Sequence, residues 1–166
     1  MGCCFKKQPM LLSIAIAYSY SHSHMKSLLL SLLMLTGPTA EHNIIKGIKS
    51  DATEHNKNIA VYFSGSDWCS NCHQFKSSVL DTKEISQLLA DSFVFYTADF
   101  PQRKKLGADI IKANEQLAEA LNPEGEFPVL VLADKDMHII SRIYKGNSMP
   151  AVLQKLKMVH TGADGK

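Results

Sequence analysis

The sequence lacks a charge excess, a low-complexity bias and a long apolar run. Its 18 Lys and Arg nearly balance its 16 Asp and Glu, so no concentrated basic face for nucleic acid is indicated. Nine Gly and six Pro among 166 residues exclude collagen-like and low-complexity chains, and 45% hydrophobic residues exclude a wholly disordered one. No apolar run approaches the roughly 20 residues that span a bilayer. The composition is that of one globular domain with a short extension.

Acidic side chains are absent from residues 1–40. Within this stretch Lys26 is followed by a short apolar segment, residues 27–36, and then by small residues at 37–40. A cation, a short apolar core and small residues are the three parts of a secretory signal peptide. We therefore predict that residues 1–40 are a signal peptide or leader and that residues 41–166 form the mature domain.

A second apolar segment, residues 10–17, precedes the first, although export needs only one. We therefore predict Met25 as the functional translation start. The alternative is a leader that is retained and anchors the chain to a membrane. Both interpretations place the domain outside the cytoplasm, in the periplasm or another extracytoplasmic compartment.

Two of the four cysteines, Cys3 and Cys4, lie within the predicted leader. The mature chain then keeps only Cys69 and Cys72, three residues apart. In an oxidising compartment disulfides are stable, and thiol chemistry there means exchange with other proteins.

From residue 41 onward, helical and strand patterns alternate. The predicted elements are a helix from 44 to about 57, a strand at 59–63, a helix from about 69, a further helix from 82, a strand at 93–98, a helix at 109–121, a hairpin of 129–133 and 138–144, and a helix at 148–159. In the helix at 109–121, the apolar stripe includes Ile110 and Ile111. This order predicts an α/β fold, a three-layer α/β/α sandwich whose central sheet is mixed because the last hairpin adds an antiparallel strand.

The segment Trp68-Cys69-Ser70-Asn71-Cys72-His73 follows a predicted strand and begins a predicted helix. At a helix N-terminus the free backbone N–H groups and the macrodipole stabilise an anion, so a cysteine there loses its proton readily. Cys72 lies nearly one helical turn after Cys69, close enough for a disulfide. The outer sulfur, Cys69, would attack a disulfide of a partner, and Cys72 would resolve the mixed disulfide.

At these residues the chain resembles the thioredoxin-like superfamily, and specifically its exported bacterial branch with a WCxxC site. The resemblance covers residues 59–159, nearly the whole mature domain. Its anchors, in chain order, are the strand at 59–63, the elbow Asp67-Trp68-Cys69-x-x-Cys72, the pair Phe127-Pro128 and Gly146.

The resemblance implies a substrate site beside the cysteines. The proline that matches Pro128 has a cis peptide bond in the family and faces the disulfide, and X-Pro bonds are the sites where cis is accessible. The backbone of Phe127 would then pair with an extended substrate chain. We expect Trp68 to lie over the sulfurs and to join this substrate site. The residues expected to shape the site further are Ser70, Asn71 and His73.

Two departures from the family leave the direction of electron flow open. The family's reductases carry a buried acid six residues before the first cysteine, where this chain has Phe63. The dipeptide Ser70-Asn71 lacks the histidine that makes an oxidant or isomerase. We expect a disulfide isomerase or reductase that takes part in cell redox homeostasis.

The dithiol itself would carry the electrons, so no cofactor and no metal are expected. The expected partners are exported client proteins with thiols or disulfides and a membrane-bound or soluble redox partner. No dimerisation segment is evident, so we expect a monomer. The cationic cluster Arg103-Lys104-Lys105 is interpreted as a solvated loop, with acidic partners as the alternative.

Three other functions use the same cysteines. The sequence Cys69-x-x-Cys72-His73 also matches the attachment signature of a c-type haem, with His73 as an iron ligand and a methionine opposite, the candidates being Met137, Met149 and Met158. A structural zinc site would need four ligands, and only the two cysteines are suitably spaced. A purely structural disulfide over so short a loop would add little stability.

Overall fold

The computed structural model describes residues 43–162. The leader predicted for residues 1–40 lies outside the described residues. The helices are α1 (Ile44–Glu54), α2 (Ser70–Phe75), α3 (Lys83–Ser92), α4 (Ala108–Leu121) and α5 (Met149–Thr161), and a π-helical segment, Lys76–Leu80, continues α2. The strands are β1 (Asn58–Ser64), β2 (Phe93–Asp99), β3 (Val129–Ala133) and β4 (Ile139–Tyr144). Their order is the predicted one.

The four strands form one mixed sheet in the order β2-β1-β3-β4. Strand β1 runs parallel to β2, and both the β1–β3 and the β3–β4 pairs are antiparallel. The parallel pair needs a crossover, which α2 and α3 provide, whereas β3 and β4 are joined by a tight turn. The structure therefore has the predicted mixed sheet with its antiparallel terminal hairpin.

Helices cover both faces of the sheet, because alternate residues of the central strands point to opposite sides. On one face, Tyr62 and Leu130 pack with residues of α2, α3 and α5. On the other face, Val61 and Val131 pack with residues of α1 and α4. β1 and β3 lie between these two layers, which is why both strands are almost wholly buried and apolar. This arrangement confirms the three-layer α/β/α sandwich.

The predicted apolar stripe of α4 is wrong at its first turn. Ile110 and Ile111 are 40% and 43% exposed, whereas Leu117 and Leu121 are buried against the sheet. The first turn of α4 follows a loop at the edge strand β2, so only the later turns of the helix meet the central strands. Periodicity alone does not show where along its length a helix leaves the sheet.

Ser148 occupies the predicted N-cap position of α5, but its side chain does not bond to the helix backbone. Pro150 stands in the first turn of α5, where the lack of an N–H costs nothing. Among residues 43–162, no helix is long and apolar enough to cross a membrane.

Candidate active site

The two cysteines sit at an elbow between β1 and α2. The backbone N–H of Cys69 donates to the carbonyl of Gly65 at 3.0 Å, which closes the turn after β1. Cys69 is the N-cap of α2, and its Sγ accepts from the backbone N–H of Cys72 at 3.1 Å. The sulfurs are joined in a disulfide, with a Cα–Cα distance of 5.2 Å. The elbow therefore holds a disulfide whose outer sulfur accepts from a backbone N–H of the first turn of α2.

The two sulfur-bearing residues differ in exposure. Cys69 retains 7% of its surface and Cys72 only 1%. A backbone N–H directed at the Cys69 sulfur would stabilise a negative charge there after reduction. The arrangement can therefore present one accessible sulfur and hold a second behind it.

Trp68 lies at the rim of the elbow and is 41% exposed. Its indole Nε1–H donates to the carbonyl of Phe100 at 2.7 Å, and its ring meets that of Phe127 edge-on at 5.7 Å. Phe127 also packs edge-on against the ring of Phe100 at 5.5 Å. The structure thus brings Trp68 and Phe127, two of the sequence-predicted site residues, into direct contact through aromatic rings.

The Phe127–Pro128 peptide bond is cis, as the resemblance implies. It immediately precedes β3, whose first residue, Val129, pairs with Phe63 and Tyr144. Pro128 is buried and Phe127 is partly exposed.

Beneath the elbow, Tyr62 binds the helix that carries the cysteines. Its phenol donates to the carbonyl of Cys72 at 2.9 Å, and its ring stacks on Phe75. Burial raises the pKa of Tyr62 above its usual value, so the phenol keeps its proton. Sequence reasoning missed this contact, although a tyrosine in a buried apolar strand needs a hydrogen-bond partner.

Phe63, at the position where the family's reductases have an acid, is fully buried among apolar residues between α1 and α4. The predicted departure is therefore present in the fold, and no carboxylate occupies this position.

Asp67 binds the loop at residues 101–107. Its carboxylate accepts the backbone N–H groups of Gln102, Arg103 and Lys104 at 2.7–2.9 Å. The N–H of Gln102, followed by those of Lys104 and Arg103, holds the pKa of Asp67 below its usual value. The guanidinium of Arg103 also donates to the Asp67 carbonyl. This contact, which sequence reasoning missed, fastens the cationic loop to the elbow.

The remaining predicted residues lie on the exposed side of α2. Ser70, Asn71 and His73 are all exposed. Asn71 Oδ1 accepts from the Lys145 ammonium at 2.8 Å. Lys145 directly precedes Gly146, so the connection between β4 and α5 reaches the dipeptide between the cysteines. Lys145 is a further residue that sequence reasoning missed.

Comparisons with known proteins agree with this geometry. The family model described as a thioredoxin-like domain matches residues 47–157. A curated relative, the disulfide bond reductase DsbH of Chlamydia pneumoniae, is 27% identical over 130 residues, covering 75% of this chain and 78% of the relative.

Solved structures show the same fold. A DsbH oxidoreductase structure superposes with a TM-score of 0.62 at 23% identity, over 69% of this chain and 79% of that one. A disulphide isomerase from Xylella fastidiosa Temecula1 gives a TM-score of 0.51 at 18% identity, over 75% and 98%.

The haem alternative gains no support from these comparisons, and in the structure Cys69 and Cys72 are bonded to each other. A disulfide at the start of a helix, with one cysteine more exposed than the other, is suited to thiol–disulfide exchange. The chain is a thiol–disulfide oxidoreductase whose redox-active group is the Cys69–Cys72 pair. With two thirds of its length matched by the family model, the chain belongs to the thioredoxin-like domain family.

Proposed function

We propose that the chain reduces disulfides of exported proteins, with Cys69 as the nucleophile and Cys72 as the resolving thiol. The observation that carries this proposal is the unequal exposure of the two cysteines at the start of α2, 7% for Cys69 and 1% for Cys72. The name of the Chlamydia pneumoniae relative, a disulfide bond reductase, favours reduction over oxidation.

The reaction begins from the dithiol. The Cys69 thiolate attacks one sulfur of the client disulfide, which breaks that bond and releases one client thiolate. The Cys72 thiolate then attacks Cys69 Sγ, and the second client sulfur leaves. The client gains two electrons, and the chain is left with the Cys69–Cys72 disulfide. A dithiol redox partner, membrane-bound or soluble, must reduce that disulfide again.

Substrate docking is assigned to Trp68, Phe127 and Pro128. The edge contact of the Trp68 and Phe127 rings forms an apolar surface next to Cys69, and the cis bond turns the chain just before β3. A client segment lying against the backbone of Phe127 would be recognised through main-chain hydrogen bonds. Such recognition depends little on client sequence.

Shaping of the site is assigned to Ser70, Asn71 and His73. The Lys145–Asn71 contact brings a cation to the dipeptide between the cysteines. His73 lies one residue beyond Cys72 on the exposed side of α2. Positive charge in both places would favour the Cys69 thiolate.

Export to the periplasm or another extracytoplasmic compartment rests on the leader pattern of residues 1–40. With the leader removed, the mature domain acts as a monomer without a bound cofactor. With the leader retained, the same domain would work at a membrane surface.

The test is the reduction potential of the full chain, equilibrated in glutathione buffers. Trp68, the sole tryptophan, directly precedes Cys69, so its fluorescence is used to follow this pair. We expect a value of about −270 mV, typical of a reductase. A value above about −180 mV would instead indicate an isomerase or oxidant. The Cys69→Ser variant gives the blank, and a wild-type signal no different from this blank would overturn the proposal.

A further inference from the structure

A cavity of about 430 Å³ lies beside the elbow, between the loop at 101–107 and the first half of α4. Its apolar walls are formed by Phe100, Pro101, Leu106 and Ile111. Ile111 is 43% exposed, although it is a large apolar side chain on a well-formed helix. The cavity therefore offers apolar surface that the fold itself leaves in contact with water.

The polar groups at the floor of the cavity are already paired. Asn114 is 2% exposed; its Oδ1 accepts from the Tyr96 phenol at 2.9 Å and its Nδ2 donates to the Asp99 carbonyl at 2.7 Å. The Asp99 carboxylate accepts from the backbone N–H and the hydroxyl of Ser66. These contacts occupy part of the hydrogen-bonding capacity of Asn114 and Asp99. An apolar group would break none.

Phe100 connects the cavity to the disulfide. Its side chain is part of the cavity wall, its carbonyl holds the Trp68 indole at 2.7 Å, and its ring packs on Phe127. A client chain that lies across Trp68 would therefore lie close to Phe100, one of the residues that line the cavity.

The loop that forms the rim is held in place and is cationic. Asp67 accepts three of its backbone N–H groups, so the rim is formed before any client arrives. The loop carries Arg103, Lys104 and Lys105 and no acid. Within residues 43–162, the ammonium groups of Lys104 and Lys105 form no ion pair. Two acidic residues, Asp99 and Glu115, line the same cavity.

We propose that this cavity is a side-chain subsite for the client polypeptide. It takes one apolar side chain of leucine or isoleucine size near the reactive client cysteine, with a carboxylate next to it that meets Lys104 and Lys105. The inference rests on the proposed function and names the class of client that the same site prefers.

The test uses the reduced full chain and synthetic peptides in which one cysteine is disulfide-bonded to glutathione. Four peptides combine Leu or Ser at the residue facing the cavity with Glu or Lys beside it. Trp68 fluorescence gives the second-order rate constant for the reaction of the protein with each peptide. Each rate constant is divided by that of the same protein with glutathione disulfide, which has no apolar side chain to fill the cavity. A fixed set of spacings between the cysteine and the Leu/Ser position is scanned, because the distance along the client is not known.

We expect the Leu/Glu peptide to react about tenfold faster than the Ser/Lys peptide at one spacing. Ile111→Ser should abolish the preference for Leu, and Lys105→Glu should reverse the preference for Glu. The matched control is Ile110→Ser, because Ile110 is equally exposed on α4 but does not line the cavity; it should retain both preferences.

Equal normalised rates for all four peptides at every spacing would overturn the subsite, and so would preferences that persist in Ile111→Ser. Failure of the proposed function has a different signature. In that case glutathione disulfide itself would not oxidise the Cys69–Cys72 pair.

Discussion

The indole ring of Trp68 occupies the space where a side chain of Gly65 would begin. A Cβ built on Gly65 would lie 2.5 Å from Cζ2 and Nε1 of Trp68, closer than real Cβ contacts allow. Gly65 also supplies the carbonyl that binds the Cys69 N–H, so the same residue positions the tryptophan and closes the elbow. The absence of a side chain at residue 65 therefore leaves the space that the Trp68 indole occupies.

The substitution Gly65→Ala should displace Trp68 from Gly65 and from the Phe100 carbonyl. We expect a shifted fluorescence maximum and a rate of client reduction lowered about tenfold, because the substrate surface beside Cys69 is lost. Gly146→Ala is the matched control, since a Cβ there meets no atom within 4 Å. Unchanged emission in Gly65→Ala would show that the indole is held by its other contacts.

Removing the hydroxyl of Tyr62 should destabilise the contact between β1 and α2, while the remaining ring still fills the core. Tyr62→Phe loses the hydrogen bond to Cys72, and we expect the free energy of unfolding to fall by about 1 kcal/mol. Urea denaturation of the oxidised chain measures this change. Tyr144→Phe removes a hydrogen bond to Glu126 from an exposed side chain and should cost less. Equal losses in the two variants would contradict a special role for Tyr62.

The Asp67 contact predicts a dependence of stability on pH. Because the folded pKa of Asp67 lies below its value in the unfolded chain, the carboxylate stabilises the fold above about pH 4. That contribution is lost as the pH falls through the folded pKa. Asp67→Asn should therefore be less stable than wild type at pH 7, and the gap should close in acid. Urea unfolding at several pH values measures the gap, with Asp51→Asn, an exposed substitution in α1, as the control. A gap that does not change with pH would exclude the carboxylate as its source.

The unequal exposure of Cys69 and Cys72 predicts different products from the two cysteine variants. Cys72→Ser keeps the accessible thiol but cannot resolve, so it should accumulate a mixed disulfide with a peptide client. Cys69→Ser, which retains only the buried thiol, should accumulate at least tenfold less. Mass spectrometry after alkylation quantifies both adducts, and mapping by proteolysis separates them from adducts at Cys3 and Cys4. Similar yields at both cysteines would contradict the assignment of Cys69 as the nucleophile.

The sequence was sufficient for the features that depend on neighbours along the chain. Apolar periodicity predicted the order of helices and strands, and the position of Cys69 after a strand predicted its place at the start of a helix. The cis bond at Pro128 followed from the resemblance. All three depend on short segments whose residue types restrict the backbone directly.

Two of the features that could not be predicted are contacts between different elements of the fold. Asp67 meets a loop 35 to 37 residues later, and Tyr62 meets the carbonyl of Cys72 from another element. The exposure of Ile110 and Ile111 depends on where α4 leaves the sheet. The apolar pattern of the π-helical segment after α2 cannot be told from that of an α-helix, because one inserted residue only shifts the helical periodicity. The two contacts and the exposure of the isoleucines follow from tertiary packing.

The contact between Asp67 and the loop has a consequence for how the chain can vary. Asp67 accepts from main-chain N–H groups, which every residue except proline possesses. The side chains at 102 and 104 can therefore be exchanged by mutation while the loop keeps its path, whereas at 103 the guanidinium adds a further bond to the Asp67 carbonyl. New client preferences can evolve at these positions while the sulfur chemistry is inherited unchanged, and proline is the substitution that selection should remove.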